Sequence, residues 1–230
     1  MADFARKDWL ADGAWLEAHL GDPELRIVDC DSLDAFGRAH LPGAVAFRDR
    51  LYKNPDDPRF VMAPEQFAAA MASLGVGDAT EVIAYDASGT LSAGRLWWCL
   101  NYFGHPRVRV LDGGWNRWLK EGRPVTTAVA LVEPARFTPR PDESLLATAD
   151  YVLAALSRPD TVILDVRSDG EWEGTNDRGN KRAGHIPGAV HIEWLNNITE
   201  DDVRCLKSPA ELREAFEAAG ITPDKEVITV

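Results

Sequence analysis

Short apolar runs rich in β-branched residues alternate along this chain with stretches of helical spacing. Arg26-Ile27-Val28-Asp29-Cys30 and Thr161-Val162-Ile163-Leu164-Asp165-Val166 are continuous runs of the kind that form strands buried on both faces. Glu81 to Tyr85 and Glu226 to Val230 read the same way. Pro64 to Leu74 and Pro209 to Ala219 carry apolar residues at helical spacing. Each opens on a proline, which suits a first helical turn, and each is followed by a glycine stop, Gly75 or Gly220. Ser92 to Phe103 predicts a further helix, Val108 to Leu111 a strand, and Trp115 to Glu121 a last helix. Strands that alternate with helices predict an α/β fold with a parallel sheet. Reactive positions in such sheets lie beyond the carboxyl ends of the strands.

The pattern occurs twice. His40-Leu41-Pro42-Gly43-Ala44-Val45 recurs as His185-Ile186-Pro187-Gly188-Ala189-Val190, at an offset of 145. Pro64 and Pro209, Gly75 and Gly220, and Glu81-Val82-Ile83 and Glu226-Val227-Ile228 keep that offset. Upstream, Ile27-Val28-Asp29 matches Ile163-Leu164-Asp165 at an offset of 136, so the second copy holds nine extra residues (145 less 136) between Asp165 and His185. Residues 1–126 form the first expected domain. Residues 127–146, with Pro134, Pro139 and Pro141, read as a linker, and 147–230 read as the N-terminal part of a second domain that is incomplete.

Composition narrows the function. The chain is 45% hydrophobic and 27% charged, an ordinary globular balance. A net charge of −12 argues against nucleic acid, and a small anionic substrate would need local positive groups against that background. No apolar run is long enough to span a bilayer, and residues 1–8 have no secretory pattern, so a cytoplasmic location without membrane contact is expected. Cys30, Cys99 and Cys205 are too few and scattered for a disulfide framework or zinc site, and no metal or cofactor is expected.

The order of motifs carries a resemblance. The second copy reads Leu164-Asp165-Val166-Arg167, then Arg182-Ala183-Gly184-His185-Ile186-Pro187-Gly188-Ala189-Val190, and the first closes on Leu111-Asp112-Gly113-Gly114-Trp115-Asn116-Arg117-Trp118. Across essentially the whole chain this resembles the tandem rhodanese family of thiosulfate and 3-mercaptopyruvate sulfurtransferases. The resemblance implies two rhodanese-like domains, each a parallel sheet flanked by helices. It implies transfer of sulfane sulfur from thiosulfate or a mercapto acid to a thiol or cyanide acceptor, through a cysteine persulfide. The first domain of such proteins is typically inactive, with aspartate at the nucleophile position. Here Asp86 ends the strand Val82 to Tyr85, and the offset carries it to position 231, next after Val230. No catalytic residue is therefore expected within 1–230, and residues 1–230 alone are expected to be inactive. The alternatives are a non-catalytic rhodanese-like binding or regulatory module and, more remotely, a phosphatase of similar fold.

The cysteines within the chain read differently. Cys30 and Cys99 sit in apolar elements as core residues, and Cys205 follows the charged loop Glu200-Asp201-Asp202. His40 and His185 occur in both copies, one of them inactive, so they read as turn residues, and Asp29 and Asp165 as backbone-bonding ones. The insertion Asn176 to Arg182 is basic within an acidic protein. The resemblance makes Arg178 and Arg182 candidates to bind the anionic donor, and Glu171 stands where another family arginine falls. Arg167 is a third candidate, with an ion pair to an acidic neighbour as its alternative.

Overall fold

The computed structural model describes residues 4–230. They fall into two compact units: Phe4–Leu145 together with Glu200–Cys205, and Leu146–Thr199 together with Leu206–Val230.

The first unit contains β1 (Leu10–Ala11), α1 (Gly13–Ala18), β2 (Leu25–Asp29), α2 (Leu33–Arg38), β3 (Val45–Ala46), α3 (Pro64–Ser73), β4 (Glu81–Tyr85), α4 (Leu91–Tyr102), β5 (Val108–Leu111) and α5 (Gly114–Lys120). Its five strands are all parallel, in the order β1-β5-β4-β2-β3. The central strands are apolar because both faces are covered. Val82, Ile83, Ala84 and Tyr85 of β4 are all fully buried. One cluster sets Val28, Val82 and Ala84 against Phe67 and Met71 of α3 and Leu96 and Cys99 of α4. The other face packs Ile27, Ile83 and Tyr85 against Leu16, Phe36 and Trp118.

Of residues 127–146, which read as a linker, 127–145 contain no strand or α-helix but are bound along the first unit. Phe137 enters its core, and the backbone N–H groups of Ala135, Arg140 and Asp142 donate to Ala72, Phe103 and Tyr102. Proline keeps such a segment out of regular structure without preventing it from packing.

The second unit contains α6 (Ala149–Ala155), β6 (Thr161–Asp165), α7 (Asp169–Glu173), β7 (Val190–His191), α8 (Pro209–Ala218) and β8 (Glu226–Thr229). Its parallel strands run β7-β6-β8, which is the β3-β2-β4 portion of the first sheet. The repeat holds residue by residue: Val28 pairs with Val45 as Leu164 does with Val190, and Leu25 with Glu81 as Thr161 does with Glu226. In the first unit α4, β5 and α5 follow Tyr85, the match of Val230, and they complete the burial of β4 and α3. Val227 is 39% exposed where Val82 is fully buried, and no residue of α8 is buried.

Candidate functional site

Each unit places its candidate residues at the carboxyl ends of its strands. In the first, β4 runs into a tight loop that feeds α4. Asp86, just 2% exposed, fills that loop. Its Oδ1 accepts the backbone N–H groups of Ser88 and Thr90 at 2.9 and 3.0 Å, and its Oδ2 those of Ser92 and Ala93 at 2.7 and 2.8 Å. The last two belong to the first turn of α4, whose unpaired N–H groups and positive dipole end favour negative charge. The loop is thus a nest for an anion, and the chain's own carboxyl group occupies it.

The Gly113-Gly114-Trp115-Asn116 signature anchors the base of this nest. Gly114 has φ +46°, and a Cβ there would lie 2.0 Å from the Asp86 carbonyl oxygen. Glycine is required on both counts. The close approach lets Trp115 N–H donate to the Asp86 carbonyl at 3.0 Å, and Asn116 Nδ2 to the Ala87 carbonyl at 3.0 Å.

The surroundings of Asp86 are acidic. Asp29 accepts the Tyr85 hydroxyl at 2.5 Å, and Asp31 accepts Ala87 N–H at 3.0 Å. Burial raises the Asp29 carboxyl above its usual range, and burial with the nearby Asp29 and Asp86 pushes Asp31 up to about 6. A cavity of about 200 Å³ opens beside them, lined in part by Asp29, Asp31, Arg38 and Trp115. It is a poor receptor for an anion.

The second unit repeats the frame with different charges. Val230 N–H donates to Leu164 O at 2.9 Å, and its carbonyl accepts Val166 N–H at 3.1 Å, as the Tyr85 carbonyl accepts Cys30 N–H at 2.8 Å. Val230 is therefore the structural counterpart of Tyr85. Asp165, 1% exposed, matches Asp29, and each accepts the backbone N–H two residues on. Where the first unit then has Asp31, the second has Arg167. The Arg167 guanidinium grips Asp165 through Nε at 2.9 Å and Nη2 at 2.5 Å, and Nη2 also reaches Gly184 O at 3.0 Å. Burial would raise Asp165, but the hydrogen bonds and charge of Arg167 outweigh it and hold the carboxyl below its usual range.

Of the three arginines expected to receive the donor, Arg167 takes the acid-paired arrangement. Arg178 is held as well: its Nε donates to Glu171 Oε2 at 3.0 Å, from a backbone with φ +52°. Arg182 is exposed and has no ion-pair partner among the described residues. Arg167 and Arg178 meet at Glu171, with Arg167 Nη1 at 3.9 Å. The part played by Glu171 escaped the sequence reading. An acid seven residues before an arginine gives no periodic signal, because the contact depends on the turn between them.

The histidines are structural in both copies. His40 stacks on Phe36 at 3.8 Å and hydrogen-bonds its carbonyl at 2.8 Å. His185 does the same with Trp172, at 3.5 and 2.9 Å. His191 stacks on the same indole at 4.8 Å. At each cysteine the neutral thiol is favoured over the thiolate. Burial, with Asp86, Asp29 and Asp31 close by, raises the Cys30 thiol well above its ordinary value, and burial pushes Cys99 and Cys205 up to about 11. Among the described residues no helix is long and apolar enough to cross a membrane.

Known proteins align with this frame. A family model described as the rhodanese-like domain matches residues 12–121 and 148–230. The sulfur carrier protein TtuD of Thermus thermophilus is 34% identical over 98% of this chain and 82% of its own length. The thiosulfate sulfurtransferase of Bos taurus is 36% identical over 96% and 78%. The crystal structure of SseA from Escherichia coli, a 3-mercaptopyruvate sulfotransferase by its description, superposes with a TM-score of 0.85 at 29% identity, covering 96% of this chain and 87% of that one.

Proposed function

Because this chain belongs to the rhodanese family, we propose that it serves a sulfurtransferase that moves sulfane sulfur from thiosulfate or a mercapto acid to a thiophilic acceptor, a thiol or cyanide. The nucleophile is a cysteine at position 231. What supports this most directly is the Asp86 nest: its four inward N–H groups suit a thiolate as well as a carboxylate, and the offset of 145 assigns the matching loop to the residues after Val230.

The chemistry has two balanced steps. The thiolate attacks the outer sulfur of thiosulfate, the sulfur–sulfur bond breaks, and sulfite leaves with its electron pair. The persulfide that remains, stabilised by the backbone N–H groups, is then attacked at its terminal sulfur by the acceptor, which regenerates the thiolate. Arg178 and Arg182 meet the anionic donor. Arg167 adds positive charge at the strand ends while its N–H groups stay on Asp165. The test is turnover of thiosulfate and of 3-mercaptopyruvate with cyanide. It is run on residues 1–230 and on a chain that continues through position 231. The expected result is activity in the longer chain alone. Absence of turnover and of persulfide in a folded longer chain would favour the non-catalytic module.

A further inference from the structure

Two acid–base pairs lie near the strand ends of the second unit. Asp165 binds Arg167, and Glu171 binds Arg178. Glu171 is the unusual member. It is 7% exposed, yet it sits one turn from the insertion that supplies the basic residues. Ser168 Oγ donates to its Oε2 at 3.0 Å, Arg178 Nε at 3.0 Å, and Arg167 Nη1 lies 3.9 Å from Oε1. Burial favours its neutral form, but the arginines prevail and its pKa is lowered. Arg178 is fixed by Nε alone. Its side chain is 66% exposed, and among the described residues its Nη atoms make no hydrogen bond. The Nη edge thus faces solvent with a carboxylate behind it.

We propose that Glu171 is a specificity-determining residue: it orients Arg178 toward the donor while cancelling its charge, so that the site loses the extra attraction a bare arginine would give a dianion such as thiosulfate over a singly charged or neutral sulfur donor. This deepens the sulfurtransferase reading and rests on it for the identity of the ligand as a sulfur donor. The argument is Coulomb's law. The energy between Glu171 and a bound anion scales with the charge of that anion, so a dianion feels twice the repulsion of a monoanion. The attraction to Arg178 doubles too, but the pair nearly cancels, and the net −12 of the whole chain adds repulsion.

Calorimetric titration of thiosulfate and of mercaptoacetate into the 230-residue chain tests this without requiring turnover. Glu171→Gln keeps the shape and removes the charge. It should tighten mercaptoacetate by about 10-fold and thiosulfate by about 100-fold, the square of the first factor because the ligand charge doubles. Adding Arg178→Ala should abolish both gains. Arg178→Ala alone, at an exposed position that should not impair folding, bares the Glu171 charge and should weaken thiosulfate more than mercaptoacetate. Equal changes for the two probes, no change in Glu171→Gln, or no binding in any variant would each overturn the proposal. Absence of sulfur transfer in a folded chain that continues through position 231, with the binding pattern intact, would instead count against the enzymatic reading.

Discussion

At the residue scale, Asp86 shows how one side chain organises the loop at a strand end. The loop around Asp86 satisfies four N–H groups with one side chain, and the loop closes only because Gly114 lets the backbone approach. Asp86→Ala leaves those donors without their acceptor in a buried place, and should cost the first unit about 2–4 kcal/mol by urea unfolding. Gly114→Ala should cost as much, since neither the left-handed conformation nor the 2.0 Å contact can admit a methyl group. A loss under 0.5 kcal/mol in either variant would mean the loop is not held as described. In the second unit, Arg178→Ala should lower kcat/KM of an active longer chain for its donor by about 10- to 150-fold, the effect of losing one charge-assisted hydrogen bond of roughly 1.5–3 kcal/mol. An unchanged kcat/KM would remove Arg178 from the donor site.

At the element scale, legibility followed length and punctuation. The helices α3 and α8, each of 10 residues, are bounded by a leading proline and a trailing glycine, and the sequence reading placed them to within a residue at the C-terminal end. Strand β5 emerged at the bounds expected of it. The short helices α1, α2, α6 and α7 were not anticipated, because 5 to 7 residues barely complete a period. Their caps were nonetheless in the sequence: Asp12 and Thr148, at an offset of 136, both accept the N–H three residues on. Caps also yield a prediction. In α8 the Ser208 hydroxyl accepts Glu211 N–H, and the Glu211 carboxylate accepts Ser208 N–H. In α3 only the second half exists, with Gln66 accepting Ala63 N–H. Ser208→Ala should cost about 1 kcal/mol, and Ala63→Ser should stabilise by up to about 1 kcal/mol. Thermal unfolding that moves in the opposite direction for either variant would refute this account of the caps.

At the scale of the whole molecule, the two copies respond oppositely to acid. An unfolded aspartate titrates near 3.9. In the folded first unit Asp31 sits at about 6, with Asp29 raised as well, so folding takes up protons between those values. The resulting stabilisation is fully present below about pH 4 and is lost as pH rises through about 6. Asp165 in the second unit is held low by Arg167, so its contribution is present above about pH 4 and fades as pH falls further. Asp31→Asn should therefore stabilise the first unit by about 1 kcal/mol at pH 7.5, after allowance for solvent screening, and by nothing at pH 4. Urea midpoints at the two pH values decide, and a gain that persists at pH 4 would contradict the assignment. This contrast was only half legible. The repeat and its offset of 136 already set Asp31 and Arg167 at one position of two matching frames, but that burial raises Asp31 while Arg167 grips Asp165 follows only from the packing.

The matching register of β4 and β8 supports the proposal of a reactive cysteine at position 231. Peptide mass spectrometry of the longer chain after incubation with thiosulfate measures this directly. The account predicts a gain of one sulfur atom on a cysteine at position 231, removed by cyanide, with Cys30, Cys99 and Cys205 unmodified. A persulfide on one of those three, or none anywhere in a folded protein, would contradict it.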